Sequence, residues 1–139
     1  MNSAPQIALF GEVLFDIFPK GEKILGGAPF NVAWNLQALG DTPLFISRVG
    51  QDPCGSDILQ AMREWDMQTT GIQVDAMHAT GRVQVEIIAN EPRYQIVPDC
   101  AYDFIDANQI PVLDHRSVLY HGTLGLRQTG SRKALEDLR

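Results

Sequence analysis

Apolar runs and helical patterns alternate along the first half of the chain. Residues 7–11 form a short apolar run that ends in glycine, and residues 43–49 form another. Such runs are typical of strands that are buried on both faces. Residues 29–39 are apolar on most sides, and residues 54–65 carry an apolar stripe at helical spacing, so both are predicted helices. This order predicts an α/β fold, doubly wound around a mostly parallel sheet.

The pattern changes near residue 82. Residues 82–87 and 94–97 alternate apolar and polar side chains, and residues 90–92 (Asn-Glu-Pro) lie between them. Alternation is typical of half-exposed strands, and the intervening residues are typical of a turn. The sequence therefore predicts a separate, small antiparallel β-sheet, a hairpin over about residues 81–97.

Three further segments complete the predicted order of elements. Residues 13–18 continue the first strand as extended chain and carry Asp16 in an apolar setting. Residues 117–121 return to the pattern of a buried strand, and residues 131–139 begin another amphipathic helix.

Composition excludes several classes of protein. With 139 residues, 45% of them hydrophobic and 20% charged, the chain is expected to form one domain with its own core. The net charge of −6 and the scattered arginines argue against a nucleic-acid partner. Residues 1–6 lack the features of a signal peptide and no run reaches transmembrane length, which predicts a cytoplasmic protein without a membrane partner.

Cysteine and histidine spacing adds no site. Cys54 and Cys100 match neither a disulfide nor a zinc pattern and are interpreted as reduced thiols. The three histidines are far apart in sequence, so no metal site is predicted in this chain.

The most informative motif begins at Gly26-Gly27. Two adjacent glycines let a ligand approach the backbone closely, because no Cβ atom stands in the way. Pro29 suits the first turn of the following helix, and Gly40 suits its end. Asn31 is thereby placed in the first helical turn, with its amide above the glycines. This arrangement predicts a site for a small polar ligand.

Asp52 directly precedes Pro53 and the second predicted helix. An aspartate at this position is interpreted as a helix cap rather than as a ligand-binding residue.

Several segments, in a fixed order, resemble the N-terminal half of a ribokinase-like (PfkB-type) carbohydrate kinase of the fructokinase branch. The resemblance covers nearly the whole chain, and its most specific part is the spacing from the double glycine to Asn31. The segments are GEVLFD (11–16), GGAPFNVA (26–33), FISRVGQD (45–52), TGRV (80–83), AYD (101–103) and YHGTL (120–124).

This resemblance implies ATP-dependent phosphorylation of a sugar hydroxyl, with a small β lid over the sugar. It implies that Asp16, Gly27 and Asn31 bind the sugar, with Gly26 beside them. Such residues suit hydroxyl groups, because a carboxylate accepts two hydroxyl hydrogens and a carboxamide both donates and accepts. Fructose is the favoured substrate and 2-keto-3-deoxygluconate its main rival. ATP and Mg²⁺ would be the cofactors of the whole enzyme.

Each candidate residue also has a structural alternative. Asp16 could be a solvated turn carboxylate, and Asn31 could satisfy a helix N-terminus. Arg82 and Arg93 could touch the substrate from the lid or lie on a solvated strand face. Tyr102 could stack on the sugar or fill the core of the lid.

Asp103 is outside the predicted site and serves as the control for Asp16. We expect Asp103→Asn to change the kcat/KM of the full-length enzyme little, since no site role is assigned to Asp103.

One part of the family pattern does not occur in this sequence. Related kinases carry a Gly-Ala-Gly-Asp motif whose N–H groups hold developing phosphate charge and whose Asp takes the sugar proton. Neither this motif nor a P-loop with its lysine is present. We therefore expect residues 1–139 to be the N-terminal, sugar-binding portion of a kinase, with no catalytic residue and no nucleotide site of its own, and inactive alone.

Two further expectations concern assembly and the alternative function. The chain could instead be a non-catalytic sugar-binding or subunit-interaction domain derived from the same fold. A homodimer through the lid sheet is expected from the resemblance, and an apolar face of the main sheet is expected to be exposed. A dinucleotide-binding protein is disfavoured because no Gly-x-Gly-x-x-Gly follows the first strand.

Overall fold

The computed structural model describes residues 4–138 and arranges them around two four-stranded β-sheets. In chain order the strands are β1 (Ile7–Phe10), β2 (Leu14–Ile17), β3 (Lys23–Gly26), β4 (Leu44–Gly50), β5 (Ile72–Asp75), β6 (Gly81–Ile88), β7 (Glu91–Ile96) and β8 (Val118–His121). The helices are α1 (Ala28–Ala38), α2 (Pro53–Glu64) and α3 (Thr129–Glu136), and short 3-10 turns lie at Ala101–Phe104, Ala107–Gln109 and Leu124–Leu126.

The first sheet is parallel throughout. Its order is β5-β4-β1-β8, and all three neighbouring pairs are parallel. Helices pack on both of its faces. On one face Phe30 of α1 and Ile58 of α2 share a core with Phe45 of β4. On the other, Leu135 of α3 shares a core with Ile46. Because Phe45 and Ile46 are adjacent in one strand, their side chains reach opposite layers, which confirms the doubly wound arrangement.

The ends of α1 and α2 follow the sequence signals. Gly27 is the N-cap of α1, Pro29 lies in its first turn, and Gly40 follows its end with φ +95°. Few residues other than glycine adopt that φ. Asp52 accepts a hydrogen bond from the Gly55 N–H at 2.8 Å and caps α2. The interpretation of Asp52 as a helix cap is confirmed.

Strand β5 escaped prediction because its polar side chains are the buried ones. Gln73 and Asp75 are buried, whereas Val74 between them is exposed. Arg48 of β4 explains this inversion, since it donates to Asp75 Oδ2 at 2.9 Å and to Gln73 Oε1 at 3.0 Å. Buried polar groups are tolerated when they are paired in this way.

The second sheet, which we call the lid sheet, is larger than the predicted hairpin. Its order is β3-β2-β6-β7. The antiparallel pair β6–β7 confirms the hairpin at 81–97, and its sheet is separate from the parallel one as predicted. The sheet is mixed rather than antiparallel, because β2 pairs with β6 in parallel and with β3 antiparallel. A two-stranded hairpin alone is marginally stable in water, and β2 gives β6 a second ladder of hydrogen bonds.

The hairpin turn lies one residue earlier than predicted. Ala89 and Asn90 connect β6 to β7 with φ of +53° and +63°. Two consecutive positive φ values define a type I′ turn, which suits the twist of a hairpin. Pro92 belongs to β7 rather than to the turn, and an outer strand tolerates its missing N–H.

Apolar side chains are exposed on both sheets. Tyr94 and Ile96 are exposed on the outer lid strand β7, and Val118 and Tyr120 are exposed on β8, at the edge of the parallel sheet. The expected exposed apolar surface is therefore present at β8. A homodimer through the lid sheet stays a prediction. None of the helices within residues 4–138 is both long and apolar enough to cross a membrane.

Asp103 does not suit the role of a neutral comparison. Its side chain is fully buried, and its two oxygens accept hydrogen bonds from Arg127, each at 2.8 Å. The Cys100 N–H donates to the same carboxylate at 3.0 Å. Asp103→Asn is therefore expected to lower stability, because breaking a buried ion pair is strongly destabilising. Its small effect on sugar recognition stays a prediction.

Asp52 also ties the lid sheet to α2. Thr80, the residue before β6, donates from its N–H to Asp52 Oδ2 at 2.9 Å and from its hydroxyl to Asp52 Oδ1 at 2.6 Å. The same hydroxyl accepts the N–H of Gly50 at 2.9 Å. Burial acts to raise the pKa of Asp52, but the hydrogen bonds from Thr80 and Gly55 outweigh it, and the pKa lies below its ordinary value. The ionised carboxylate therefore fixes the base of β6 to the start of α2.

Thr80→Val tests this connection. Valine keeps the branched shape but removes the hydroxyl that joins Asp52 to Gly50, and at 3% exposure no bulk water replaces it. We expect the variant to lose about 1–3 kcal/mol of free energy of unfolding, measured by urea denaturation. The control is Thr70→Val, whose exposed hydroxyl donates to Gln68 Oε1 at 3.3 Å, and it should stay within about 0.5 kcal/mol of the parent. Equal losses in the two variants would contradict the anchoring role.

Candidate sugar site

The candidate site lies at the carboxyl ends of β1 and β8. Strand β1 has β4 on one side and β8 on the other, so the strands that follow β1 in sequence are added to opposite sides of it. In open α/β sheets, ligands bind in the crevice outside the carboxyl ends of the strands at such a switch point. Residues 11–13 leave β1 here for the lid sheet, and residues 122–125 leave β8.

The glycine pair brings the start of α1 against the end of β1. Gly26 pairs with Leu14 in the lid sheet, and Gly27 follows with φ +112°. A Cβ atom at Gly27 would lie 2.5 Å from the carbonyl oxygen of Glu12. No residue with a side chain fits this contact. The two glycines were predicted to let a ligand approach, but Gly27 first lets the backbone at Glu12 approach.

Asn31 lies in the first turn of α1, as its spacing predicts. Its N–H donates to the Gly27 carbonyl at 2.8 Å, and its Nδ2 lies 4.0 Å from the position of a Cβ atom at Gly26. The residue is exposed, and no hydrogen bond of its side-chain amide is formed within residues 4–138. The amide is therefore free to meet a ligand beside Gly26.

Asp16 of the lid sheet lies on the same sheet face as Gly26. It pairs with Ile24 of β3 and Val83 of β6, and Gly26 is two residues after Ile24 in β3. Diagonal neighbours of this kind are about 7–8 Å apart. Asp16 is partly buried, and its carboxylate has no hydrogen-bond or salt-bridge partner in the described part of the chain. Asp16 and Asn31 are thus both neighbours of Gly26, Asp16 diagonally across the strands and Asn31 from the following helical turn.

Arg82 and Arg93 are not brought together with Asp16. Arg82 pairs with Phe15, and Arg93 pairs with Glu86. Because directly paired residues share a face, both arginines lie on the face of the lid sheet opposite to Asp16. The solvated-face alternative accounts for both side chains, and their contact with a sugar stays a prediction.

Tyr102 belongs to the base of the lid. It is fully buried in one core with Leu14 and Val83, and a Cβ atom at Gly81 would lie 2.5 Å from its ring. Burial raises the pKa of its hydroxyl, which has no hydrogen-bond partner among residues 4–138. The geometry favours the lid-core alternative over stacking on a sugar.

Sequence reasoning missed Glu12. It follows Gly11 immediately after the apolar run of β1, and its side chain is 4% exposed at the edge where Asp16 and Asn31 lie. A carboxylate placed directly after a buried strand was the available signal, because that position maps to the carboxyl edge of a parallel sheet.

The polar side chains near the glycine turn are the carboxyl groups of Glu12 and Asp16 and the carboxamide of Asn31. Such groups accept hydrogen bonds from hydroxyls, and the carboxamide also donates. Within residues 4–138 no group of three or more His, Cys, Asp or Glu side chains could hold a metal ion.

Comparison with known proteins identifies related kinases. The sequence profile of the pfkB family of carbohydrate kinases matches residues 9–136. An uncharacterized sugar kinase of Pyrococcus horikoshii is 30% identical over an alignment of 141 positions, and the alignment covers 93% of this chain and 46% of that protein. A fructokinase of Escherichia coli is 28% identical over 134 residues, covering 91% of this chain and 43% of the relative. The chain spans about half the length of the curated relatives that it matches.

Solved structures share the fold. The Pyrococcus horikoshii sugar kinase in complex with ATP matches with a TM-score of 0.85 at 30% identity, over 95% of this chain and 48% of that one. Vibrio cholerae fructokinase in its apo form matches with a TM-score of 0.87 at 26% identity, over 97% of this chain and 48% of that one. A form of that fructokinase with fructose, ADP and calcium ion matches with a TM-score of 0.81 at 25% identity, over 96% of this chain and 45% of that one.

Gly27→Ala tests the close contact at the glycine turn. Alanine is strained at both Gly27 (φ +112°) and Gly40 (φ +95°), but only at Gly27 would its Cβ meet a backbone oxygen at 2.5 Å. Nothing lies within 4 Å at Gly40. We expect Gly40→Ala to cost about 1–2 kcal/mol of unfolding free energy and Gly27→Ala clearly more, measured by urea denaturation. A loss at Gly27 no larger than at Gly40 would show that the contact is not tight.

Proposed function

The chain belongs to the pfkB family of carbohydrate kinases, and from that premise we propose that it forms the sugar-binding half of an ATP-dependent kinase that phosphorylates a hydroxyl of fructose. The observation that supports this most strongly is the convergence of Asp16 and Asn31 beside Gly26. Neither side chain forms a hydrogen bond or salt bridge with another residue of the described chain. Both are therefore available to hydroxyl groups.

The proposed roles follow from the chemistry of the two side chains. The Asp16 carboxylate accepts hydrogens from two neighbouring sugar hydroxyls, and the Asn31 carboxamide donates to one oxygen and accepts from another. Asp16 belongs to the lid sheet and Asn31 to α1. A sugar bound by both would hold the lid against the body of the domain and exclude water from the reacting hydroxyl.

The charge of the cleft favours fructose over its rival substrate. Fructose is neutral, whereas 2-keto-3-deoxygluconate carries a carboxylate that would lie near the carboxylates of Asp16 and Glu12. The fructokinases among the relatives support the same choice.

ATP is the proposed phosphoryl donor, with Mg²⁺ as its partner ion. A related sugar kinase has been crystallised with ATP, and a related fructokinase with fructose, ADP and calcium ion. The cleft described here offers hydroxyl-binding groups but no cradle for phosphates. Phosphoryl transfer depends on positioned groups that stabilise charge on the moving phosphoryl. We therefore propose that residues 1–139 alone do not catalyse the reaction.

Asp16→Asn tests the proposed sugar contact. The amide keeps the shape of the side chain but loses the charge and one acceptor, so we expect fructose binding to weaken by about 1.5–3 kcal/mol, or roughly ten- to hundredfold. Binding is measured by titrating this chain with fructose and following backbone amide NMR signals. Asp41→Asn is the control, since Asp41 is exposed before β4, at the opposite edge of the parallel sheet. Equal dissociation constants for the parent and Asp16→Asn would remove Asp16 from the site.

A coupled assay tests the proposed inactivity of residues 1–139. The purified chain is incubated with fructose and Mg-ATP, and ADP production is followed. We expect no turnover above background, because no described group stabilises the transferred phosphoryl. Turnover that disappears in Asp16→Ala would show that the catalytic groups are present and that the proposal is wrong.

A further inference from the structure

Glu12 lies on the floor of the crevice at the carboxyl ends of β1 and β8. Its carbonyl oxygen contacts the Gly27 turn, and its Oε2 lies 3.6 Å from the position of a Cβ atom at Gly125. Glu12 is therefore placed between the start of α1 and the loop that follows β8.

One carboxylate oxygen of Glu12, Oε2, lacks a hydrogen-bond partner among residues 4–138. The residue is 4% exposed, and its Oε2 accepts no hydrogen bond from any residue in the described range. The Tyr102 hydroxyl is also buried and unpartnered, so it does not donate to Glu12. A buried carboxylate oxygen without a donor is costly, so a donor from outside the chain, such as a ligand, an ion or ordered water, would stabilise it.

Space for a donor exists beside Gly122. A Cβ atom at this glycine would lie 4.0 Å from Glu12 Oε2 and 3.9 Å from Pro29 Cδ, with no closer atom of the described chain outside its sequence neighbours. The φ of Gly122 is outside the left-handed region, so its backbone conformation does not itself require glycine. The missing side chain therefore leaves a gap next to the carboxylate.

We propose that Glu12 is a second acidic residue of the sugar site, and that it accepts a hydrogen bond from a sugar hydroxyl that enters the gap beside Gly122. This inference rests on the proposed function. A neutral hydroxyl fits the site better than a phosphate, because the carboxylate repels an anion. Asp16 and Glu12 then contact the sugar from the lid sheet and from the sheet edge respectively.

Two variants test Glu12 from different directions. Glu12→Gln removes the charge and keeps the size, and Gly122→Ala fills the gap with a methyl group at ordinary van der Waals distances. Fructose dissociation constants are measured by NMR titration of the full 139-residue chain, and melting temperatures are measured without sugar. Glu136→Gln, on the exposed surface of α3, is the matched control. Asp16→Asn is measured in parallel.

The expected result separates binding from stability. Glu12→Gln should weaken fructose binding by about tenfold or more without lowering the melting temperature, because it removes an unpaired buried charge. Gly122→Ala should weaken binding while the melting temperature stays the same.

Three outcomes would overturn the inference. If both variants bind fructose like the parent while Asp16→Asn does not, Glu12 is not a ligand, but the proposed function stands. If Glu12→Gln lowers the melting temperature and Gly122→Ala binds normally, the carboxylate has a structural role only. If the parent chain binds no fructose, this inference and the proposed sugar-binding role both fail.

Discussion

The contact between the Gly27 backbone and the Glu12 carbonyl determines where the proposed site lies. A Cβ atom at Gly27 would lie 2.5 Å from that oxygen, so only glycine lets the end of β3 pass over the end of β1. This crossing places the first turn of α1, with Asn31, beside the lid strand that carries Asp16. The glycine pair therefore acts first by allowing two parts of the chain to approach each other, and the ligand-binding geometry follows from that approach.

The lid sheet is held at its base by both of its inner strands. Strand β2 continues from β1 through residues 11–13, and β6 is fixed through the hydrogen bonds of Thr80 to Asp52. These two strands are adjacent and parallel, so their bases are held side by side. The end of β7 is held at the same base, because Arg127 donates to the carbonyl of Val97, the residue after β7, at 2.7 Å. The hairpin turn at Ala89 and Asn90 lies at the far end of the lid sheet. The strand that carries Asp16 is therefore held in place at the base of the lid sheet.

The sequence pattern predicted the strands in which apolar side chains are the buried ones. It failed for a strand in which paired polar side chains are buried instead. The apolar runs of β1 and β4 and the alternation of β6 identified those strands, whereas β5 buries Gln73 and Asp75 because Arg48 pairs with them. Motif spacing led to Asp16 and Asn31, but no local pattern reveals that Asp103 is buried opposite Arg127, 24 residues away. Glu12 carries a local signal, its position directly after β1, but its closeness to the loop after β8 is not readable from the sequence.

The central claim is that Asp16 and Asn31 converge on one sugar molecule at the glycine turn. A crystal structure of the chain with bound fructose tests this most directly. The account predicts fructose at the carboxyl ends of β1 and β8, with hydroxyl oxygens within hydrogen-bonding distance of Asp16 and Asn31, about 2.6–3.2 Å. Fructose bound elsewhere on the chain, or at this edge without contact to either side chain, would contradict it.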